Sequence, residues 1–248
     1  MSAETRWASL HDFIAQWHRP LTPEDGVPPE EMNTVEERFG RKLPEAVREW
    51  YERAGRFTEI TDRQNHLVPP SEMVISSYAE PIEGQDDTCA FPVGLEVCNE
   101  NQYVYGWKIL ETDLYASDPP VYLEDPDNVL GEERLYREAD TFSEFISKSV
   151  ALETLYAPAY DDRRSHGTAS VENVRMTLSE QYTSLSDTPL CRGAFFWKGD
   201  DILLGTLDEG GSFVLIAATR ERLARAKADL GDLIVWTTQK MENIREDI

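Results

Sequence analysis

The residues from which a reaction centre would have to be built are four histidines, three cysteines and a large excess of carboxylates, spread over 248 positions. His11 and His18 lie seven residues apart near the N-terminus and could be drawn as a metal pair. Two helical turns would separate them, and no cysteine or third ligand stands at a usual spacing, so they read as partly buried histidines. Serine, histidine and aspartate are all present, but no Gly-x-Ser-x-Gly elbow occurs and no histidine falls in a recognisable motif. Gly205, Gly210 and Gly211 are not followed by the Gly-Lys-Ser/Thr of a phosphate loop and read as turn residues. The acidic pairs Glu124-Asp125, Asp161-Asp162 and Asp200-Asp201 could bind calcium or act as acid and base. Adjacent loop residues rarely converge on one ion without further ligands, so they read as solvated turns. Cys89 and Cys98 sit in β-like stretches with no basic neighbour in sequence to lower a thiol pKa. These readings predict no catalytic residues, no cofactor and no metal, and a chain that works by binding protein.

Composition narrows the partner. Acidic residues number 47 against 24 basic, a formal charge of −23, which sets up a strong negative field and argues against nucleic acid as a direct ligand. The same charge could steer a basic partner or simply keep the surface soluble. The odd cysteine count, Cys89, Cys98 and Cys191, without CxxC spacing fits a reducing compartment. Residues 1–20 lack the continuous apolar core of a secretory signal, and the longest apolar run, 213–218, is far too short to cross a bilayer. The expectation is a cytoplasmic protein with no membrane association.

The elements that must position any site are organised around residues 28–55. Pro28-Pro29 opens a helix with Glu30 and Glu31 at its positive end; Met32, Val35 and Phe39 form its apolar stripe, and Gly40 closes it. Pro44 and Glu45 start a second helix with Val47, Trp50, Tyr51 and Ala54 on its buried face, and Gly55 ends it. Upstream, residues 3–18 carry Trp7, Leu10, Ile14 and Trp17 at helical spacing, Pro20 stops that helix, and residues 19–29 read as a proline-rich linker. Downstream, residues 57–60, 66–69 and 73–79 read as short strands and 80–88 as an exposed acidic loop. Val93, Leu95 and Val97 alternate, as do Tyr103, Tyr105, Trp107 and Ile109, with Asn99-Glu100-Asn101 between: a hairpin with one aromatic face that reads as core lining. Asp118-Pro119-Pro120-Val121-Tyr122 follows as a rigid extended segment, and Thr141 with Glu144 caps a helix burying Phe142, Phe145, Ile146, Ser149 and Leu152.

This set of motifs resembles the SUKH superfamily, the family of cell-wall assembly and cell-proliferation coordinating proteins. The residues carrying the resemblance are Glu36, Phe39, Gly40, Leu43, Pro44, Trp50, Tyr51 and Gly55, then Glu100-Asn101-Gln102, Trp107 and Asp118 to Val121, in the family's order over about residues 5–156. The resemblance implies an α+β fold, a mainly antiparallel sheet flanked by helices. It also implies a bacterial immunity protein that binds and neutralises a polymorphic toxin, many of these being basic nucleases; eukaryotic relatives imply the alternative of an intracellular adapter or regulatory scaffold. On the immunity reading, candidate partner-binding residues are Glu83, Asp86, Asp87, Glu100 and Asn101, with Tyr103 as aromatic anchor.

Residues 157–170 are polar and irregular and mark a boundary between a domain of 1–157 and an extension of 158–248. Val171, Val174 and Leu178 fit a helix, while Val174, Met176 and Leu178 fit a strand, which is the reading taken. Residues 194–197, 202–207 and 212–218 form a three-strand meander; Thr219 caps a helix with Leu223, Ala226 and Leu230 inside, and residues 233–236 make a last strand. Whether this extension continues the first sheet or folds as a second lobe is open at this level.

Overall fold

A computed structural model describes residues 3–76, 92–124, 135–185, 196–199, 201–206 and 211–237. The fold is α+β, antiparallel sheet flanked by helices, and the chain divides between Ala157 and Pro158 into two compact units. No helix among the described residues is long and apolar enough to cross a membrane.

In the first unit the helical elbow forms where proline and glycine fix the backbone. Helix α2 (Pro29–Phe39) ends at Gly40, whose φ of 64° is the left-handed conformation that closes a helix, with the Gly40 and Arg41 amides donating to carbonyls of its last turn. Helix α3 (Glu45–Ala54) starts directly after Pro44. Between them the buried Glu36 carboxylate accepts from the Leu43 amide (3.1 Å), Lys42 Nζ (2.6 Å) and Arg48 Nη1 (2.8 Å). Burial alone would raise its pKa; the Lys42 ammonium, the Leu43 amide and the Arg48 guanidinium outweigh that and leave it lowered, so Glu36 stays ionised and ties α2 to α3. Helix α1 (Ala3–Trp17) buries its expected stripe and Phe13 as well, and Trp7 packs on Trp50 with ring centroids 5.2 Å apart.

Two short stretches depart from their expected forms. Residues 19–29 are ordered: a 3-10 turn at Pro23–Asp25 is held by the buried Asp25, which takes both Arg19 Nη atoms (2.7 and 2.6 Å) and the Thr22 amide (2.7 Å). With Arg19 the first cause, the Asp25 pKa falls to about 2. The 57–60 stretch is not a strand: α4 (Thr58–Thr61) forms there because Phe57 and Ile60, three apart, are both buried on one side.

The first sheet runs β1 (Asn65–Leu67), β3 (Gly94–Glu100), β4 (Gly106–Leu110), β5 (Val121–Glu124), β6 (Leu135–Ala139), with β2 (Ile75–Ser76) also on β3; every pairing is antiparallel. The predicted hairpin exists, but its register shifts between Glu96 and Cys98. Val97 is the extra residue of this bulge, so Leu95 faces Ile109 while Cys98, not Val97, pairs with Trp107. Helix α5 (Phe142–Leu155) covers the sheet, with Phe145 on Trp107 at 5.7 Å. Its N-terminus is capped by Thr141 (3.1 Å from the Glu144 amide), and Asp118 takes the Ser143 amide (3.0 Å) and hydroxyl (2.6 Å). The Asp-Pro-Pro segment thereby anchors α5 and delivers the chain into β5.

The second unit has a sheet of its own. Its antiparallel order is β12 (Val235–Trp236), β7 (Arg164–Thr168), β11 (Ser212–Ala217), β10 (Ile202–Thr206), β9 (Phe196–Lys198), β8 (Thr183–Ser184). The meander is present, as is α7 (Arg220–Asp229) with Thr219 accepting from the Arg222 amide (3.2 Å). Two expectations are corrected. The 157–170 stretch holds a 3-10 turn and the strand β7, and residues 171–181 form a helix, α6 (Val171–Gln181). Val174 and Leu178, one helical turn apart, are buried in the core with Trp197, Phe213 and Leu215, whereas Met176, which a strand would have put beside them, is exposed.

Candidate functional site

The tip of the β3–β4 hairpin is built by the last residue of β3. The Glu100 carbonyl accepts from the Tyr103 amide (2.9 Å), the Glu100 amide donates to the Tyr105 carbonyl (3.1 Å), and the Glu100 carboxylate turns inward to take the Gln102 amide (2.7 Å). This closes a five-residue turn in which Tyr103 sits at φ 58°, the one non-glycine residue with positive φ among the described residues. A bulky side chain there costs about 1–3 kcal/mol, and such strain is characteristic of functional positions. Tyr103 is 61% exposed, and its ring lies nearly parallel to the His66 imidazole, centroids 5.9 Å apart at 18°.

His66 belongs to β1, at the edge of the sheet, and its Nδ1 is bonded to the Asp62 carboxylate. The stretch joining α4 to β1 is in turn fixed from below by Glu153 on α5. This carboxylate, 2% exposed, accepts from three consecutive backbone amides, Arg63 (3.0 Å), Gln64 (2.8 Å) and Asn65 (2.9 Å). Burial raises its pKa to about 7 against the pull of those three amides. Beside it lies a small cavity of about 20 Å³, room for one water molecule, lined by Trp50, Thr61, Asn65, Cys98 and Phe145 among others. Burial also pushes the Cys98 thiol well up, so it stays protonated.

Of the residues expected to bind a partner, Asn101 and Tyr103 are exposed together on the hairpin turn. Glu100 is corrected: with its side chain turned to the Gln102 amide and only 9% of the residue exposed, it shapes the turn and offers little contact area. Glu83, Asp86 and Asp87 lie outside the described residues, as does the acidic loop expected at 80–88. The aromatic run is also divided, since only Trp107 and Ile109 line the core while Tyr103 faces outward. Sequence reasoning missed Asp62, His66 and Glu153. The i, i+4 spacing of Asp62 and His66 was visible, but the strand assigned at 57–60 hid the turn that brings them together.

Several of the other chemistry-bearing groups are bonded within the fold. His18 lies 2.9 Å from the Thr154 hydroxyl, which donates to the Val150 carbonyl (2.6 Å) and is fully buried, so the pair clamps α1 to α5 and presents no reactive oxygen. Burial lowers the pKa of His11 and of His18. Glu124 is corrected from a solvated turn to a buried strand residue bonded to Lys108, and Asp125 lies outside the described residues. Asp161 and Asp162 are paired with Arg164 (2.7 Å) and Arg220 (3.0 Å), and Asp201 with Arg222 (3.1 Å). Among the described residues no three histidine, cysteine or acidic side chains come together as a metal-ligand set.

Charge is unevenly divided. Residues 1–157 carry 32 acidic and 13 basic side chains, a balance of −19, whereas residues 158–248 carry 15 and 11, a balance of −4. The negative field therefore belongs to the unit that presents Tyr103. Compared with protein-family models, with curated proteins and with solved structures, the chain matches none.

Proposed function

We propose that this chain is a non-catalytic protein-binding module acting in the cytoplasm, an immunity protein of the SUKH type that neutralises a basic, nuclease-type bacterial toxin. The observation that carries the reading is Tyr103: an aromatic ring held in a strained left-handed turn, braced by Glu100, seated on His66 and left open to solvent. An exposed, immobilised tyrosine is the usual form of an interface anchor, contributing apolar area at little entropic cost. Asp62 and Asn101 supply polar groups at its rim. A unit balance of −19 supports fast, oriented encounter with a partner whose own surface is basic because it must approach phosphates.

The test is to look for a toxin gene beside this one and to co-express the two. The intact chain should restore growth and co-purify with the toxin, and the yield should fall as salt is raised, because exposed charges are screened beyond about 8 Å at physiological ionic strength. Failure to restore growth and to co-purify would overturn the reading for that pair. A yield indifferent to salt would remove charge steering from it.

A further inference from the structure

On the elbow between α2 and α3 lies a groove of about 450 Å³, lined by Arg41, Lys42, Leu43 and Pro44 on one wall and by Leu114 and Tyr115 on the other. Its volume falls within the range of small-ligand and peptide-side-chain sites. Both walls are fixed: Gly40 closes α2 and sets the direction of Arg41, and the Ser117 carbonyl accepts from the Ala46 amide (2.8 Å), which joins one wall to the other.

Tyr115 is 86% exposed, and the Arg41 guanidinium carbon sits over its ring, 4.3 Å from the centroid. Stacking occupies the face of a guanidinium and leaves its N–H edges free to donate. Arg6, Arg19, Arg48 and Arg56 of the same unit each hold a carboxylate at 2.5 to 2.8 Å. Arg41 has none among the described residues, although acidic side chains outnumber basic ones more than twofold in this unit. Lys42 is already bonded to Glu36, and Glu45, the carboxylate on the rim, to Arg6 at 3.4 Å.

We propose that this groove is a second binding surface, independent of the hairpin turn, for an acidic peptide segment that places one carboxylate on Arg41 and an apolar neighbour against the exposed Tyr115. One uncommitted guanidinium matches a single carboxylate bidentately; a phosphate dianion would be left half neutralised. The surrounding negative charge opposes such a ligand at long range, so binding here holds or strengthens as salt is added, opposite in sign to the effect expected at the turn.

The probe is an array of immobilised peptides pairing Asp or Glu with Leu or Phe, alongside the same peptides with Asn or Gln, incubated with the full chain. The acidic set should retain the protein. Arg41→Ala should lower retention about tenfold, and Arg41→Lys should restore it only in part, since an ammonium cannot make the two-toothed contact. Tyr115→Ala should lower it several-fold, and the exposed position of this residue leaves thermal stability unchanged in that variant. Equal retention on the Asn and Gln set, or indifference to both variants, would overturn the proposal. Displacement by inorganic phosphate as effective as by soluble acidic peptide would reassign the groove to small anions. Self-association abolished by Arg41→Ala would reassign it to a contact between copies. Loss of toxin binding in a Tyr103 variant bears on the turn alone and leaves these outcomes as they stand.

Discussion

Glu153→Ala should remove about 3–5 kcal/mol from the stability of the first unit, the largest effect expected of any single substitution described above. The carboxylate is the acceptor for three successive amides of the α4–β1 connection, and truncation strands all three, the Asn65 amide in a fully buried place and the Arg63 and Gln64 amides in half-buried ones, while enlarging a cavity already next to it. Chemical denaturation monitored by tryptophan fluorescence reads the loss. Glu153→Gln separates charge from shape. Because the folded-state pKa is raised from 4.5 to about 7, the native protein holds its proton more tightly than the unfolded chain does. The contribution of Glu153 is therefore fully present below about pH 4.5 and is lost as pH rises through about 7, roughly 3 kcal/mol across that window. The glutamine variant has no such dependence, so the stability of the natural chain relative to the variant should fall as pH rises through that window. A relative stability that rose instead would mean that the three amides dominate burial and that the carboxylate is ionised throughout.

Tyr103→Gly should separate stability from binding. Glycine adopts a φ of 58° without steric cost, so releasing the tyrosine from the left-handed turn should raise stability by about 1 kcal/mol, even after the contact with His66 is given up. The same change removes the aromatic anchor, and affinity for the partner should fall by about 2 kcal/mol, some thirtyfold. Denaturation curves and titration calorimetry with the co-purified partner measure the two quantities on one variant. Unchanged affinity would show that the hairpin turn is not where the partner docks. His66→Ala offers a milder version, since the tyrosine keeps its backbone but loses the ring that holds it upright.

The parts of this structure that could be read from sequence are those fixed by local backbone chemistry. Gly40, Pro44, Thr141 and Thr219 each determine what the chain does at their own position, and the elbow, α5 and α7 begin or end where those residues require. Misreadings came where periodicity was too short to decide. In α4 the apolar pair spans one turn, and in α6 Val174 and Leu178 fitted a helix with Val171 and a strand with Met176 until burial separated Met176 from them. The bulge at Val97 left no mark in the pattern, because valine suits either phase. Buried charges were the largest omission. Half of the residues of helix α5 are polar, and nothing in their spacing separates the enclosed Lys148, Glu153 and Thr154 from the others; their need for partners follows from an enclosure that the sequence does not announce. The partners themselves, amides on a segment some 90 residues earlier, are a product of tertiary folding alone.

The small pocket beside Glu153 also makes a chronometer of the chain. Cys98 lies buried at its wall as a protonated thiol, so in the folded state an alkylating reagent finds neither an exposed sulfur nor a thiolate. With Cys89 and Cys191 changed to serine, the pace of its modification is governed by how often the Glu153 clasp lets go, and it times the breathing of the platform under Tyr103 from the inside.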